Sequence, residues 1–195
     1  PEIVYVMSND VTVAESATLT VAPGQVVKAT CCFFVSLLVN GTLNAAGTTE
    51  APIVFTSDRD DSAGGDTNNN AAGNAGFAAA WERIEFGSTS TASVLDHVDV
   101  RFAGANSVAA IDINGGGLTL RNSVLRDSSV HGLTARAAGS ARLDSSLIIR
   151  NADTGFRAES GATAVALNNT LAGNFRGVAA DGAGSVVTLV PNLVT

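Results

Sequence analysis

An all-β solenoid is the fold this sequence predicts, and three observations predict it. A leucine returns at Leu95, Leu120, Leu143, Leu167 and Leu189, at intervals of 25, 23, 24 and 22 residues. A second column keeps step: Gly132-Leu133, Gly155-Phe156 and Gly177-Val178 follow at 23 and 22, with Ala110-Ile111 standing 22 before them. Short β-branched runs bounded by Gly, Asn, Asp and Ser take the place of any sustained helical spacing. A fixed period of this size, carried by strand-like phrases, marks a solenoid. Every repeat runs in the same sense, so stacked strands must be parallel. Three short strands per coil then give a parallel β-helix of roughly eight rungs. An antiparallel sandwich would show hairpin turns but no long period.

Read in order, the strands are Val11-Thr-Val13, Leu19-Thr-Val21, Val26-Val27, Leu37 to Val39, Ile53-Val-Phe55, Ile84-Glu-Phe86 and Val98-Asp-Val100. Turns fall at Pro23-Gly24, Asn40-Gly41, Gly47 and Gly115-Gly116-Gly117. The early coils share the period: Thr18 and Thr42 are 24 apart, as are Leu19 and Leu43. The middle phrases align as Leu120-Arg-Asn-Ser-Val-Leu125, Leu143-Asp-Ser-Ser-Leu-Ile148 and Leu167-Asn-Asn-Thr-Leu-Ala172. That alignment stacks Leu120, Leu143 and Leu167 inward. It also sets Asn122, Ser145 and Asn169 in one polar column and Ser123, Ser146 and Thr170 in the next. Stacked amides and hydroxyls of this kind hold register at a turn. One insertion, residues 57–80, interrupts the period and is expected as a lateral loop on a single domain spanning 1–195.

The bulk numbers agree. Hydrophobic residues make 46% of the 195, charged residues 15% and aromatics 5%, so small and branched side chains must fill a narrow core. A net charge of −7 gives no basic surface for nucleic acid or for anionic lipid. Cys31 to Val39, the most apolar stretch, is too short for the roughly 20 residues of a membrane span. Cys31 and Cys32 are adjacent, and strand neighbours face opposite ways. The expectation is one buried and one outward thiol, with a vicinal disulfide as the alternative.

Residues 5–102 also resemble the opening coils of bacterial secreted right-handed parallel β-helix proteins. The phrases that carry the resemblance are YVMSNDVTVAESATLTVAPGQVVK, LLVNGTLNAAGTTEAPIVFTS, DDSAGGDTN, WERIEF and SVLDHVDVRFAG, in that order. The resemblance implies a right-handed coil, secretion and a scaffold role, and it supplies no reaction. The opening Pro1-Glu-Ile-Val-Tyr5 lacks the basic and apolar regions of a signal peptide, so the expectation is either a cytoplasmic chain or a processed one. The CCFF phrase before Leu37 departs from the polar approach expected there.

The insertion gathers the clearest chemistry. Asp58, Asp60, Asp61 and Asp66 join Asn68 and Asn70, and hard cations such as calcium take six to eight oxygens. Asp66, Asn68 and Asn70 match the first alternating ligands of a calcium loop, but Ala71 and Phe77 stand where its Gly and Glu would be. Asp99 and Arg101 share a strand face, and Asp127 can stack near Arg126 and Arg150. Such pairs would serve a polysaccharide lyase or hydrolase, but a solvated strand face is the expected reading of them. His131 precedes the turn at Gly132 and reads as a surface residue. Asn40 and Asn168 fit the glycosylation sequon. The expected function is therefore a non-catalytic extracellular or cell-surface module, an adhesin, scaffold or filament unit whose ends meet either another copy or a longer parent chain, with carbohydrate as a further candidate partner. A carbohydrate-active β-helix enzyme is the alternative.

Overall fold

The computed structural model describes residues 3–71 and 75–195. Strands form three parallel sheets of eight, seven and seven members, and each strand pairs with the one three places on in the chain. This is the topology of a β-solenoid of about eight turns, as the period predicts. Sheet A runs from Val4–Met7 through Val26–Ala29, Ile53–Ser57, Val98–Arg101, Val124–Arg126, Leu147–Ile149 and Thr170–Ala172 to Leu193–Val194. Sheet B runs from Val11–Val13 to Arg176–Asp181, and sheet C from Thr18–Val21 to Val186–Val190. Among the described residues the only helix is a single 3-10 turn, Ala105–Ser107.

Alternation fixes what faces inward. Val27, Phe55, Val100, Leu125, Ile148 and Leu171 stack as one column inside sheet A. Ile84, Ile111, Leu133 and Phe156 stack inside sheet B, as the second period predicts. Inside sheet C the column is Ala45, Leu95, Leu120, Leu143, Ala166 and Leu189.

That last column corrects the leucine alignment. Leu143 pairs with Ala166, and Leu167 pairs with Asp144, off the core face. The interval of 24 between Leu143 and Leu167 is one residue longer than the structural step, and a one-residue slip on a strand turns every side chain over. The polar columns shift with it. Asn168, not Asn169, continues the turn position of His97, Asn122 and Ser145, all with φ between 50 and 54°. Asn169, not Thr170, follows Ser123 and Ser146.

The corrected column is a hydrogen-bond ladder. The Val98 backbone N–H donates to Ser123 Oγ at 3.0 Å, Ser123 N–H to Ser146 Oγ at 3.1 Å, Ser146 N–H to Asn169 Oδ1 at 2.9 Å, and Asn169 N–H to Asn192 Oδ1 at 2.8 Å. Each rung thus satisfies a buried backbone donor of the rung before. A second ladder at the sheet A to sheet B corner joins Ser128 N–H to Asn151 Oδ1 at 3.1 Å and Asn151 N–H to Asn174 Oδ1 at 2.9 Å. Sequence reasoning missed this one, because Asn151 and Asn174 recur outside the leucine phrases.

Candidate functional site

The insertion leaves sheet A after Ile53–Ser57 and returns at Arg83–Phe86 on sheet B. Residues 72–74 of it lie outside the described residues. Its first part folds back over the outer face of sheet A and encloses Lys28, the only lysine in the sequence. The Lys28 ammonium donates to the Gly65 carbonyl at 2.6 Å. Burial lowers its pKa from the ordinary lysine range, and the charges of Asp60, Asp61, Asp58 and Asp66 oppose that shift.

The four aspartates among the residues expected as calcium ligands therefore act on a cation the protein supplies itself. Asp58 Oδ1 accepts the Cys31 backbone N–H at 2.9 Å. Asp60, 1% exposed, accepts from Thr56 Oγ1 at 2.8 Å, Ser62 Oγ at 2.6 Å and Arg101 Nε at 2.7 Å. Burial works against its charge, but the Ser62 and Thr56 hydroxyls and the Arg101 guanidinium outweigh it and hold its pKa below the ordinary value. Asp61 is half-buried. Asp66 folds onto the Asn70 and Ala71 backbone N–H groups at 3.3 and 3.0 Å. Asn68 is half-buried and Asn70 exposed. Among the described residues no group of three or more His, Cys, Asp or Glu side chains is placed to hold a metal ion. Three of these carboxylates, Asp58, Asp60 and Asp66, already accept from protein donors, and a calcium ion would have to share the space with Lys28.

From Asp60 an ion-pair chain climbs sheet A. Arg101 bridges Asp60 at 2.6 Å and Asp99 at 3.0 Å. Arg126 joins Asp99 and Asp127, both at 2.9 Å, and Arg150 closes on Asp127 at 2.9 Å. The expected Asp99–Arg101 face and the Asp127 cluster are thus one structure. Asp96 lies apart, held by Arg121 at 2.7 Å and Asn122 at 2.9 Å.

A cleft on the outer face of sheet B went unseen in the sequence. Register brings Glu85, Asp112, Thr134 and Arg157 into one outward column, and they are too far apart in the chain to form a motif. Its volume is ≈ 170 Å³. Arg136 grips Asp112 through two nitrogens, both at 2.9 Å. Arg83 meets Glu85 at 2.6 Å, and Arg157 meets Glu159 at 2.8 Å and Asp181 at 2.9 Å. Two polar atoms are buried there without a partner, Thr134 Oγ1 and Arg83 Nε. His131 reaches into this cleft instead of standing in solvent. Its Nδ1 accepts the Thr154 N–H at 3.2 Å, and its Nε2 lies 3.4 Å from the Arg157 guanidinium. Burial lowers its pKa; Asp153 opposes this and Arg157 adds to it. The ring is neutral at neutral pH.

The CCFF phrase brings a further correction. Cys31 and Cys32 are joined as a disulfide, not held apart as thiols. The strand argument fails because Cys31 to Phe34 is a turn, and φ of 71° at Cys32 brings its side chain round to that of Cys31.

Stacked parallel coils, side-chain ladders at the corners and laterally paired charges define the protein as a parallel β-solenoid. It belongs to the pectate-lyase like β-helix family, whose model matches residues 1–120. No curated protein and no solved structure matches the chain.

Proposed function

We propose that this chain is a structural module of an extracellular or cell-surface protein, and that the stack itself is the working object. One observation carries this reading. Carboxylates on both lateral faces are clamped by arginine up the stack, Asp99 and Asp127 along sheet A and Asp112 with Arg136 on sheet B. A carboxylate locked to a guanidinium stiffens the coil and is poorly placed to accept or give a proton. The end turns carry exposed apolar side chains, Tyr5 and Val6 at one and Phe175, Val186 and Leu193 at the other. Further coil, from a longer chain or a second copy, covers them in this proposal.

The test is turnover. Pectate with calcium, and neutral polysaccharides, should release no unsaturated or reducing sugar ends above background, and electron micrographs should show end-to-end rods. A second reading, an enzyme acting on polysaccharide, is favoured by the sheet B cleft, where a neutral imidazole stands near an unpartnered hydroxyl. Release of sugar ends that disappears with His131→Ala would establish that reading and remove the first.

A further inference from the structure

The turn Cys31–Phe34 is built at some energetic cost and buries little of what it presents. Phe34 sits at φ 56° and Cys32 at φ 71°, a region that bulky side chains rarely enter. Such outliers persist where surrounding structure over-determines them, and they cluster at functional sites. Here the surroundings do so: Cys31 N–H is fixed by Asp58, Cys32 N–H donates to the Ala80 carbonyl at 3.0 Å, and the disulfide closes the turn. The result holds Phe33 74% exposed and Phe34 50% exposed, while the next residue, Val35, is 2% exposed.

Opposite the rings stands the corresponding turn of the first coil. Ser8, Asn9 and Asp10 line a hollow of ≈ 470 Å³ together with Phe33, Phe34 and Val35. Asp10 is oriented by one oxygen, Oδ1, which accepts the Ser36 backbone N–H at 2.8 Å. The hollow therefore has one aromatic wall and one wall of hydroxyl, amide and carboxylate. A pyranose ring has the matching chemistry: an apolar C–H face to lie on an aromatic ring and hydroxyls to share with Asn and Asp. The Asp10 carboxylate, with no basic residue lining the hollow, selects against acidic sugars.

We propose that this hollow binds neutral hexopyranose oligosaccharides, with Phe33 and Phe34 as the stacking platform and Asn9 and Asp10 as the hydroxyl readers. The site is separate from the sheet B cleft and stands whether or not the module is catalytic. A display module that carries it would hold a glycan beside its first coils.

The test is backbone amide NMR on the intact chain titrated with cellohexaose, mannohexaose and, for contrast, tetragalacturonate. The expected result is saturable shifts at Ser8 to Asp10 and Phe33 to Val35 with at least one neutral hexaose and none with tetragalacturonate. Phe33→Ala should weaken binding about tenfold, as should Phe34→Ala, and both rings are exposed enough that the melting temperature should stay put. Asp10→Asn keeps the acceptor for Ser36 and should admit tetragalacturonate. The proposal is overturned if neither neutral hexaose binds, if binding survives loss of both rings, or if the shifting amides lie elsewhere. A concentration-dependent dimer abolished by Phe33→Ala would overturn it in favour of self-association.

Discussion

Asn169→Ala tests the ladder that holds the coils in register. Asn169 is 1% exposed, and its side chain makes three bonds. Oδ1 accepts the Ser146 N–H at 2.9 Å, while Nδ2 donates to the Leu143 carbonyl at 3.2 Å and to Asn192 Oδ1 at 3.0 Å. Alanine leaves the Ser146 donor and the Leu143 acceptor without this partner inside the stack. An orphaned buried group costs about 1–3 kcal/mol, and partial entry of water brings the pair to about 2–4 kcal/mol. For a chain of this length that is a fall of about 5–15 °C in melting temperature. Asn169→Ser should recover much of it, because serine already fills the same position at Ser146, whose Oγ accepts the Ser123 N–H and donates to the Asp144 carbonyl. Calorimetry gives the magnitude, and amide hydrogen exchange gives the place: the Ser146 N–H should lose protection before amides two rungs away. An unchanged melting temperature together with unchanged Ser146 exchange would refute the ladder as a source of stability.

Leu143→Ala should cost about 2–5 kcal/mol through lost burial and a cavity, whereas Leu167→Ala should cost far less; equal losses in urea unfolding would restore the leucine alignment that the structure corrects. Stability should fall with acid in two stages. The folded pKa of His131 lies below the ordinary 6.5, so the unfolded chain takes that proton first and stability drops as pH falls below 6.5; His131→Gln should remove this stage alone. Asp60, Asp96 and Asp127 titrate below the ordinary 3.8, so their contribution is complete above that value and is lost as pH falls through their lower folded values. Calorimetric titration of calcium should give no heat and no shift in melting temperature; heat that vanishes with Asp66→Asn would return calcium to the insertion.

The fold was legible because a solenoid repeats its core demand at every turn. Leu120 and Leu143, or Leu133 and Phe156, meet the same environment one rung apart, so the period survives as sequence. Leu167 shows the limit. A leucine one position off the core column looks identical in a string, and only the pairing with Asp144 reveals which face it takes. The lateral sites were less visible for a different reason. Asp99 and Arg101 are close in the chain and were paired in advance, but Asp112 and Arg136, or Asp60 and Arg101, meet only through register. The vicinal disulfide was obscured by reading Cys31 and Cys32 as strand residues, when the turn conformation decides the matter.

The lateral charges follow from the stacking itself. In a parallel coil each outward side chain lies beside its counterpart in the next rung, about 4.8 Å away. Register places Arg101 directly beside Arg126, and like charges so placed repel. The chain answers with acids set to the side: Asp99, two residues before Arg101, and Asp127, one residue after Arg126, each bridge neighbouring rungs. The Phe102 ring adds a face 5.8 Å from the Arg101 guanidinium and 6.0 Å from that of Arg126. Lys28 pairs in register with Val6 and Thr56, neither of them an acid, and the insertion folds in to bring carboxylates to it instead. Asp60 also holds Arg101, Thr56 and Ser62, so the double change of Lys28→Met and Asp60→Asn should destabilise the chain more than Lys28→Met alone, and equal losses in urea unfolding would refute Asp60 as the foot of the charge ladder.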